Sequence, residues 1–120
     1  MTSQDLFDIE RDGDVLVIVP KTDLGESEYD GLEAAAHLIF DELAKGGVRG
    51  VVLDFQRTDY CGSTALGLFI RLWKRVCERG GRMAFCNVSE HEKEVLAVTR
   101  LDSLWPICPT RQEALKAVTA

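Results

Sequence analysis

Hydrophobic and polar positions along this chain follow two periodicities in alternation, one typical of strands and one typical of helices. Residues 6–10 alternate between apolar and polar side chains, Asp12 and Gly13 supply a turn, and an apolar run at 15–19 ends at a proline. Together these features predict an opening antiparallel hairpin. Apolar positions then recur at helical spacing from Tyr29 to Leu43 and stop before two glycines, which predicts a first helix.

The second half of the chain continues the alternation. Residues 51–55 are apolar at almost every position, as expected of a central strand that is covered on both faces. A second helix is predicted to start at Ser63 and to end before Gly80 and Gly81. Its predicted apolar face consists of Leu66, Phe69, Ile70, Trp73, Val76 and Cys77.

Two capping boxes predict where the remaining helices begin. Ser89 is followed three residues later by Glu92, a pattern in which each side chain satisfies a backbone N–H at the start of a helix. Thr110 and Glu113 repeat the pattern close to the end of the chain. We therefore expect a short third helix and a C-terminal helix.

These elements define the fold class. Two shorter apolar stretches, within 83–86 and 104–108, complete the set of predicted strands. Strands that alternate with helices pair mainly in parallel through right-handed crossovers. We predict an α/β fold with a mixed, mostly parallel sheet of four to five strands, about four helices and an opening antiparallel hairpin. A chain of 120 residues can bury one real core, so residues 1–120 are expected to form a single domain.

Charge and cysteine usage narrow the possible environments and partners. A net charge of -6 discourages binding to nucleic acid or to an anionic membrane surface, and no apolar run is long enough to span a membrane. The first eleven residues contain three acidic side chains and do not resemble a secretory signal, so we expect a cytoplasmic protein. The four cysteines form no C-x-x-C pair, and neither histidine has a close cysteine partner, so no zinc site is predicted.

The junction between the strand at 51–55 and the second helix is the strongest candidate for function. Residues 61–67 read Cys-Gly-Ser-Thr-Ala-Leu-Gly, and Ser63 stands where the helix starts. A serine in this place is expected to cap the helix with its side-chain oxygen. A phosphate on the same oxygen would meet backbone N–H groups and the positive end of the helix dipole.

Enzyme signatures do not fit this junction. No lysine follows Gly67, as a phosphate-binding Walker loop would require, and Cys61 and Ala65 stand where a hydrolase nucleophile elbow has glycines. His37 is predicted to flank the first helix and His91 to lie exposed in the first turn of the third, so neither is a convincing base. The sequence therefore predicts no catalytic residue, no cofactor and no enzymatic activity.

The chain resembles the STAS family, the small domains of bacterial anti-sigma-factor antagonists. In that family the strand–helix junction typically reads Asp-Ser-Ser/Thr-Gly-Leu-Gly, and its serine is phosphorylated by a partner kinase that is also the anti-sigma factor. The resemblance implies that Ser63 is the phosphoacceptor, with Thr64 the less favoured of the two hydroxyls. It rests on the hairpin, the strand at 51–55, Gly62-Ser63-Thr64-Ala65-Leu66-Gly67, Arg79-Gly80-Gly81-Arg82, Asn87-Val88-Ser89 and residues 96–107.

The resemblance also implies a partner switch. The unphosphorylated protein would bind the anti-sigma serine kinase and so free a sigma factor, and phosphorylation would break that complex. The implied partner surface lies around the start of the second helix. Its candidate residues are Asp23, Asp59, Tyr60, Gly62, Ser63, Thr64, Gly67 and Arg71.

Three positions depart from the family pattern and leave alternatives open. Gly62 replaces the aspartate before the acceptor, Ala65 replaces a glycine, and Arg100 replaces the glycine that usually follows the third helix. Gly62 favours one alternative, a non-phosphorylated STAS interaction subunit of a larger lipid-transport or stressosome-like complex. Another is a small nucleotide-binding module that uses the start of the second helix.

Arg71, Arg75 and Arg79 form a basic stripe that either meets an acidic partner or is simply solvated.

Overall fold

Five strands form one mixed sheet in the order β1-β2-β3-β4-β5. The computed structural model describes residues 6–24 and 29–119. In chain order the elements are β1 (Phe7–Asp12), β2 (Val15–Pro20), α1 (Tyr29–Ala44), β3 (Gly50–Asp54), α2 (Ser63–Glu78), β4 (Arg82–Cys86), α3 (Glu90–Val98), a 3-10 turn (Leu101–Ser103), β5 (Ile107–Cys108) and α4 (Arg111–Thr119).

Strand pairing confirms the predicted fold class. β1 pairs with β2 in antiparallel register, and each later pair, β2–β3, β3–β4 and β4–β5, is parallel. The carboxyl ends of four strands therefore meet at one edge of the sheet. The loops that follow these strands converge there, and this edge carries the candidate site.

Helices cover both faces of the sheet. One face packs against α1, α2 and α3 in the larger core, which includes Ile39, Phe69 and Leu96. The other face packs against α4 in a smaller cluster that includes Val52 and Val118. Because both faces are covered, every residue of β2 and β3 is buried, which explains their nearly unbroken apolar sequence.

The buried face of α2 differs from the predicted one. Cys77 is exposed, whereas the prediction placed it on the apolar face. Leu68 and Leu72, which that prediction omitted, are buried. The face is centred on Ala65, Phe69, Leu72 and Val76, at spacings of three and four residues, and Cys77 lies one residue and about 100° beyond it.

The end of α3 carries local backbone strain. Arg100 lies in the left-handed region at φ 63°, where its Cβ is disfavoured, and it links α3 to the 3-10 turn that begins at Leu101. The departure from the family pattern at Arg100 therefore affects the backbone conformation at the end of α3. Arginine stands where the backbone favours glycine.

Replacing this arginine by glycine is expected to stabilise the fold. Arg100→Gly removes the Cβ penalty but adds freedom to the unfolded chain, so we expect a net gain of about 0.5–1 kcal/mol. Ala97→Gly, in the last turn of the same helix, is the control and should lose about 1 kcal/mol. Urea unfolding at constant pH measures both variants. An Arg100→Gly variant less stable than the wild type would show that the left-handed backbone is not strained.

Candidate functional site

The candidate site is the β3–α2 loop, residues 55–62, together with the start of α2. Gly62 is the residue that caps α2, with extended backbone angles (φ -77°, ψ 178°) and no side-chain cap. The prediction that Ser63 caps the helix is therefore wrong. Ser63 is instead the first helical residue, because the chain already turns at the glycine before it, and its side chain is exposed.

Asp23 holds the middle of this loop from the side of β2. Its Oδ1 accepts hydrogen bonds from the Thr58 hydroxyl at 2.8 Å, the Asp59 N–H at 2.8 Å and the Tyr60 N–H at 3.3 Å. Asp23 follows β2 and the loop follows β3, so parallel pairing of these strands brings them together. The hydrogen bonds, with that from Asp59 the most important, hold the pKa of the Asp23 carboxyl below its usual value.

The backbone next to Asp23 adds a short parallel bridge. Leu24 pairs with Cys61 outside the main sheet. The Leu24 N–H donates to the Tyr60 carbonyl at 3.0 Å, and the Gly62 N–H donates to the Leu24 carbonyl at 2.7 Å. The last residues before Ser63 are thus held by main-chain hydrogen bonds as well as by a carboxylate.

α3 holds the loop from the opposite side. The Ser89 hydroxyl donates to the Asp59 carbonyl at 2.8 Å and accepts from the Glu92 N–H at 3.1 Å. This is one half of the predicted capping box. In a complete capping box the Glu92 side chain would accept the backbone N–H of Ser89. Its Oε1 instead accepts the Cys61 N–H at 3.1 Å. Glu92 is therefore part of the site, although its sequence pattern indicated only a helix cap.

A buried carboxylate fixes the point where the β3–α2 loop leaves the sheet. Asp54, the last residue of β3, is fully buried and accepts from the Gln56 N–H at 3.0 Å, Asn87 Nδ2 at 2.9 Å and Arg111 Nε at 2.7 Å. These partners come from the loop itself, from the residue after β4 and from the start of α4. The loop is therefore anchored at both ends.

The outer surface of the site carries exposed side chains suited to contact. Tyr60 is 41% exposed and stacks on His91 of α3, with ring centroids 6.1 Å apart. Asp59 is exposed, and Thr64 is half-buried. One helical turn further on, a Cβ added at Gly67 would meet no atom within 4 Å, so α2 leaves open space there.

The basic stripe of α2 is used largely within the molecule. Arg71 forms an ion pair with Glu33 of α1 at 3.2 Å. The guanidinium of Arg75 lies 4.7 Å from the ring centroid of Phe40, and Arg79 donates to the Leu43 carbonyl at 2.6 Å. The stripe therefore links α2 to α1, and a contact of Arg71 with a partner stays a prediction.

The thiols near the site are poorly suited to nucleophilic chemistry. Burial, followed by the charges of Glu92 and Asp23, raises the pKa of the Cys61 thiol far above its usual value. Burial also raises the pKa of Cys86 to about 12. Within residues 6–24 and 29–119, no three His, Cys, Asp or Glu side chains lie close enough together to hold a metal ion.

The protein is therefore a small α/β domain with one mixed sheet. It presents the side chain of Ser63 on its surface, at the start of α2 and next to a loop held by long-range hydrogen bonds. The model of the STAS domain matches residues 8–114, and the chain belongs to this family. In the part of the chain that the structure describes, no helix is long and apolar enough to cross a membrane.

Named relatives and solved structures agree with this family. BtrV of Bordetella bronchiseptica, named as a candidate anti-sigma factor antagonist, is 31% identical over 71 residues, which span 59% of this chain and 61% of that protein. TM1081 of Thermotoga maritima, also described as a candidate anti-sigma factor antagonist, superimposes with a TM-score of 0.85 at 25% identity over 98% of both chains. The phosphorylated form of SpoIIAA, a Bacillus cell fate determinant, shares the fold with a TM-score of 0.69 at 22% identity, over 92% of this chain and 96% of that one.

Removing the Asp23 carboxylate should loosen the β3–α2 loop. Asp23→Ala leaves the Thr58 hydroxyl and two N–H groups without this acceptor, so we expect a loss of about 1 kcal/mol of unfolding free energy after allowance for solvent screening. The folded-state pKa of Asp23 is lowered from 3.8, so its contribution is present above that pH and is lost as the pH falls through the folded value.

Urea unfolding of the wild type and Asp23→Ala at pH 7 and at pH 3 tests both statements. The difference in unfolding free energy between the two proteins should be largest at pH 7 and smaller at pH 3. Asp59→Ala is the matched control, because the Asp59 carboxylate forms no hydrogen bond within the described part of the chain. Equal losses in the two variants at pH 7 would contradict a specific role for Asp23.

Proposed function

We propose that this protein is a cytoplasmic anti-sigma factor antagonist whose binding to an anti-sigma serine kinase is switched by phosphorylation of Ser63. The observation that carries the proposal is the exposed side chain of Ser63 as the first residue of α2, on a loop that Asp23, Leu24 and α3 hold in place. A kinase requires a hydroxyl that it can reach from solvent. A rigid loop presents that hydroxyl in one orientation.

The start of α2 suits a phosphate electrostatically. The first turn of a helix leaves backbone N–H groups without helical partners and carries the positive end of the helix dipole. No acidic side chain occupies the first turn of α2. A phosphate on Ser63 would therefore be stabilised by the helix on which it sits, and the fold would not need to change.

The surrounding surface suits a switch that acts on binding. Phosphorylation adds about -1.5 to -2 charges at neutral pH. It would do so a few residues along the chain from Asp59 and from Tyr60, whose exposed ring offers the kind of aromatic contact that interfaces favour. A partner packed against this face would lose affinity through repulsion and through the cost of burying the phosphate.

Relatives support the partner class. BtrV and TM1081 are named as candidate anti-sigma factor antagonists, and SpoIIAA, a protein of the same fold, exists in a phosphorylated form. On this basis the partner surface comprises the residues that the sequence analysis singled out around Ser63. In this proposal the protein is the substrate of its partner and not itself an enzyme.

Gly62 supports a second candidate, an interaction subunit that is not phosphorylated. A buried glycine at the cap supplies no carboxylate beside the Ser63 hydroxyl, whereas the resemblance places an aspartate there. Such a subunit would bind its partner through the same face in every state of the cell. The two candidates differ in whether Ser63 controls binding.

Ser63 substitutions separate the candidates. Ser63→Ala should capture an anti-sigma factor with a kinase domain from lysate of the source cells at least as well as the wild type, because it cannot be phosphorylated. Ser63→Asp should lose about tenfold or more of that binding, equivalent to 1.4 kcal/mol or more, because it places a charge in the interface. Quantitative mass spectrometry of the captured proteins gives the ratio.

Lys74→Ala is the matched control, because Lys74 is exposed on α2 about three turns beyond Ser63 and outside the proposed partner surface, and it should bind within twofold of the wild type. Circular dichroism and thermal unfolding check that each variant is folded. Equal capture by Ser63→Asp and Ser63→Ala would contradict the switch and support the constitutive interaction subunit.

A further inference from the structure

Glu92 is an unusual residue to find beneath a surface loop. Its side chain is only 3% exposed, although it stands in the first turn of α3, where a carboxylate can normally reach water. One oxygen, Oε1, accepts the Cys61 N–H at 3.1 Å. The other, Oε2, is buried and has no hydrogen-bond partner among the residues that the structure describes.

This arrangement costs free energy that a local capping box would avoid. A buried carboxylate loses its hydration, and a buried oxygen without a partner adds to that loss. Ser89 already supplies the cap of α3 by accepting the Glu92 N–H. The Glu92 side chain is therefore not needed to start its own helix, and its only described hydrogen bond crosses to the β3–α2 loop.

The hydrogen bond falls at a sensitive point of that loop. Cys61 precedes the cap residue Gly62, and Ser63 follows immediately. Among these three residues, Gly62 donates its N–H to the Leu24 carbonyl. Asp23 holds the loop earlier in the chain, at Asp59. Among the described side chains, Glu92 is the one that accepts a hydrogen bond from the Cys61 N–H.

We propose that Glu92 is a positioning residue for the phosphoacceptor: its carboxylate holds the Cys61 N–H, and in this way fixes where α2 begins and how Ser63 is presented. The inference rests on the proposed function of Ser63. The geometry of the segment, however, can be tested on the protein alone, without its partner.

Proton binding to Glu92 gives this role a distinct signature. Desolvation raises the pKa of the Glu92 carboxyl above its usual value, and the charge of Asp23 acts in the same direction. The Cys61 N–H and the charge of His91 act in the opposite direction. An ionised carboxylate accepts an N–H more strongly than a neutral one, so the hold on Cys61 should strengthen as Glu92 loses its proton.

Amide NMR of uniformly labelled protein between pH 4 and pH 8 tests the proposal with two substitutions of different kinds. Glu92→Gln keeps an oxygen that can accept the Cys61 N–H but removes the titration. Glu92→Ala removes the acceptor altogether. Glu94→Gln, on the exposed surface of the same helix, is the matched control.

In the wild type and in Glu94→Gln, the Cys61 amide shift should titrate with a midpoint above 4.5, the ordinary value of a glutamate. This titration should disappear in Glu92→Gln. Hydrogen-exchange protection of Cys61, relative to a core amide such as Leu53, should be kept in Glu92→Gln. It should fall about tenfold in Glu92→Ala, together with that of Gly62, whose N–H donates to the Leu24 carbonyl.

Two outcomes would overturn the proposal. One is a Cys61 titration that persists unchanged in Glu92→Gln. The other is protection of the Cys61 and Gly62 amides that is the same in Glu92→Ala as in the wild type. Because neither readout uses a kinase, a failure to find phosphate on Ser63 would refute the proposed function and leave this test intact.

Discussion

Parallel pairing of β2 with β3 is the constraint on which the rest of the site depends. Neighbouring strands that run in the same direction end at the same edge of the sheet. Asp23 therefore lies beside residues 58–60, although these are far from it in the sequence. β4 continues the parallel order and delivers Ser89 and Glu92 to the same edge. The buried, apolar β2 and β3 make this register hard to shift, since both faces of each strand are covered.

Two carboxylates hold the β3–α2 loop under opposite electrostatic conditions. Asp23 lies at the surface, gathers three donors on one oxygen and has a lowered pKa. Glu92 is buried, accepts one N–H from the described part of the chain and has a raised pKa. Acid therefore weakens the hold of Asp23 only at low pH, whereas Glu92 gains its proton closer to neutrality. Asp23 therefore keeps its negative charge to lower pH than Glu92 does.

Periodicity and turn residues were enough to predict the sheet, the four helices and the position of Ser63 at the start of α2. Each of these features depends on a pattern that spans only a few neighbouring residues. Errors arose where the answer depends on packing. Cys77 lies at the margin of the α2 stripe, and only the direction of the sheet decides that it faces solvent. Gly62 takes the cap that the serine pattern suggested, because backbone geometry and not side-chain type places the first helical residue.

Glu92 shows most clearly what sequence could not provide. Its spacing from Ser89 is that of a local capping box, so nothing in the sequence pattern pointed to a contact 31 residues away. No sequence pattern predicted the hydrogen bonds of Asp23, although the resemblance indicated that residue as a candidate for the partner surface. Long-range hydrogen bonds leave no periodic signal, and they are the contacts that shape this site.

The proposed function depends on one side chain, that of Ser63, which lies exposed at the start of α2, next to a loop held by Asp23 and α3. Intact-mass measurement of the protein isolated from its native cells, followed by fragment mapping, tests this claim most directly. We expect a fraction of the protein to carry a single phosphate on Ser63, and we expect this fraction to change with growth conditions. A chain that stays unmodified under all conditions, or that carries its phosphate elsewhere, would contradict it.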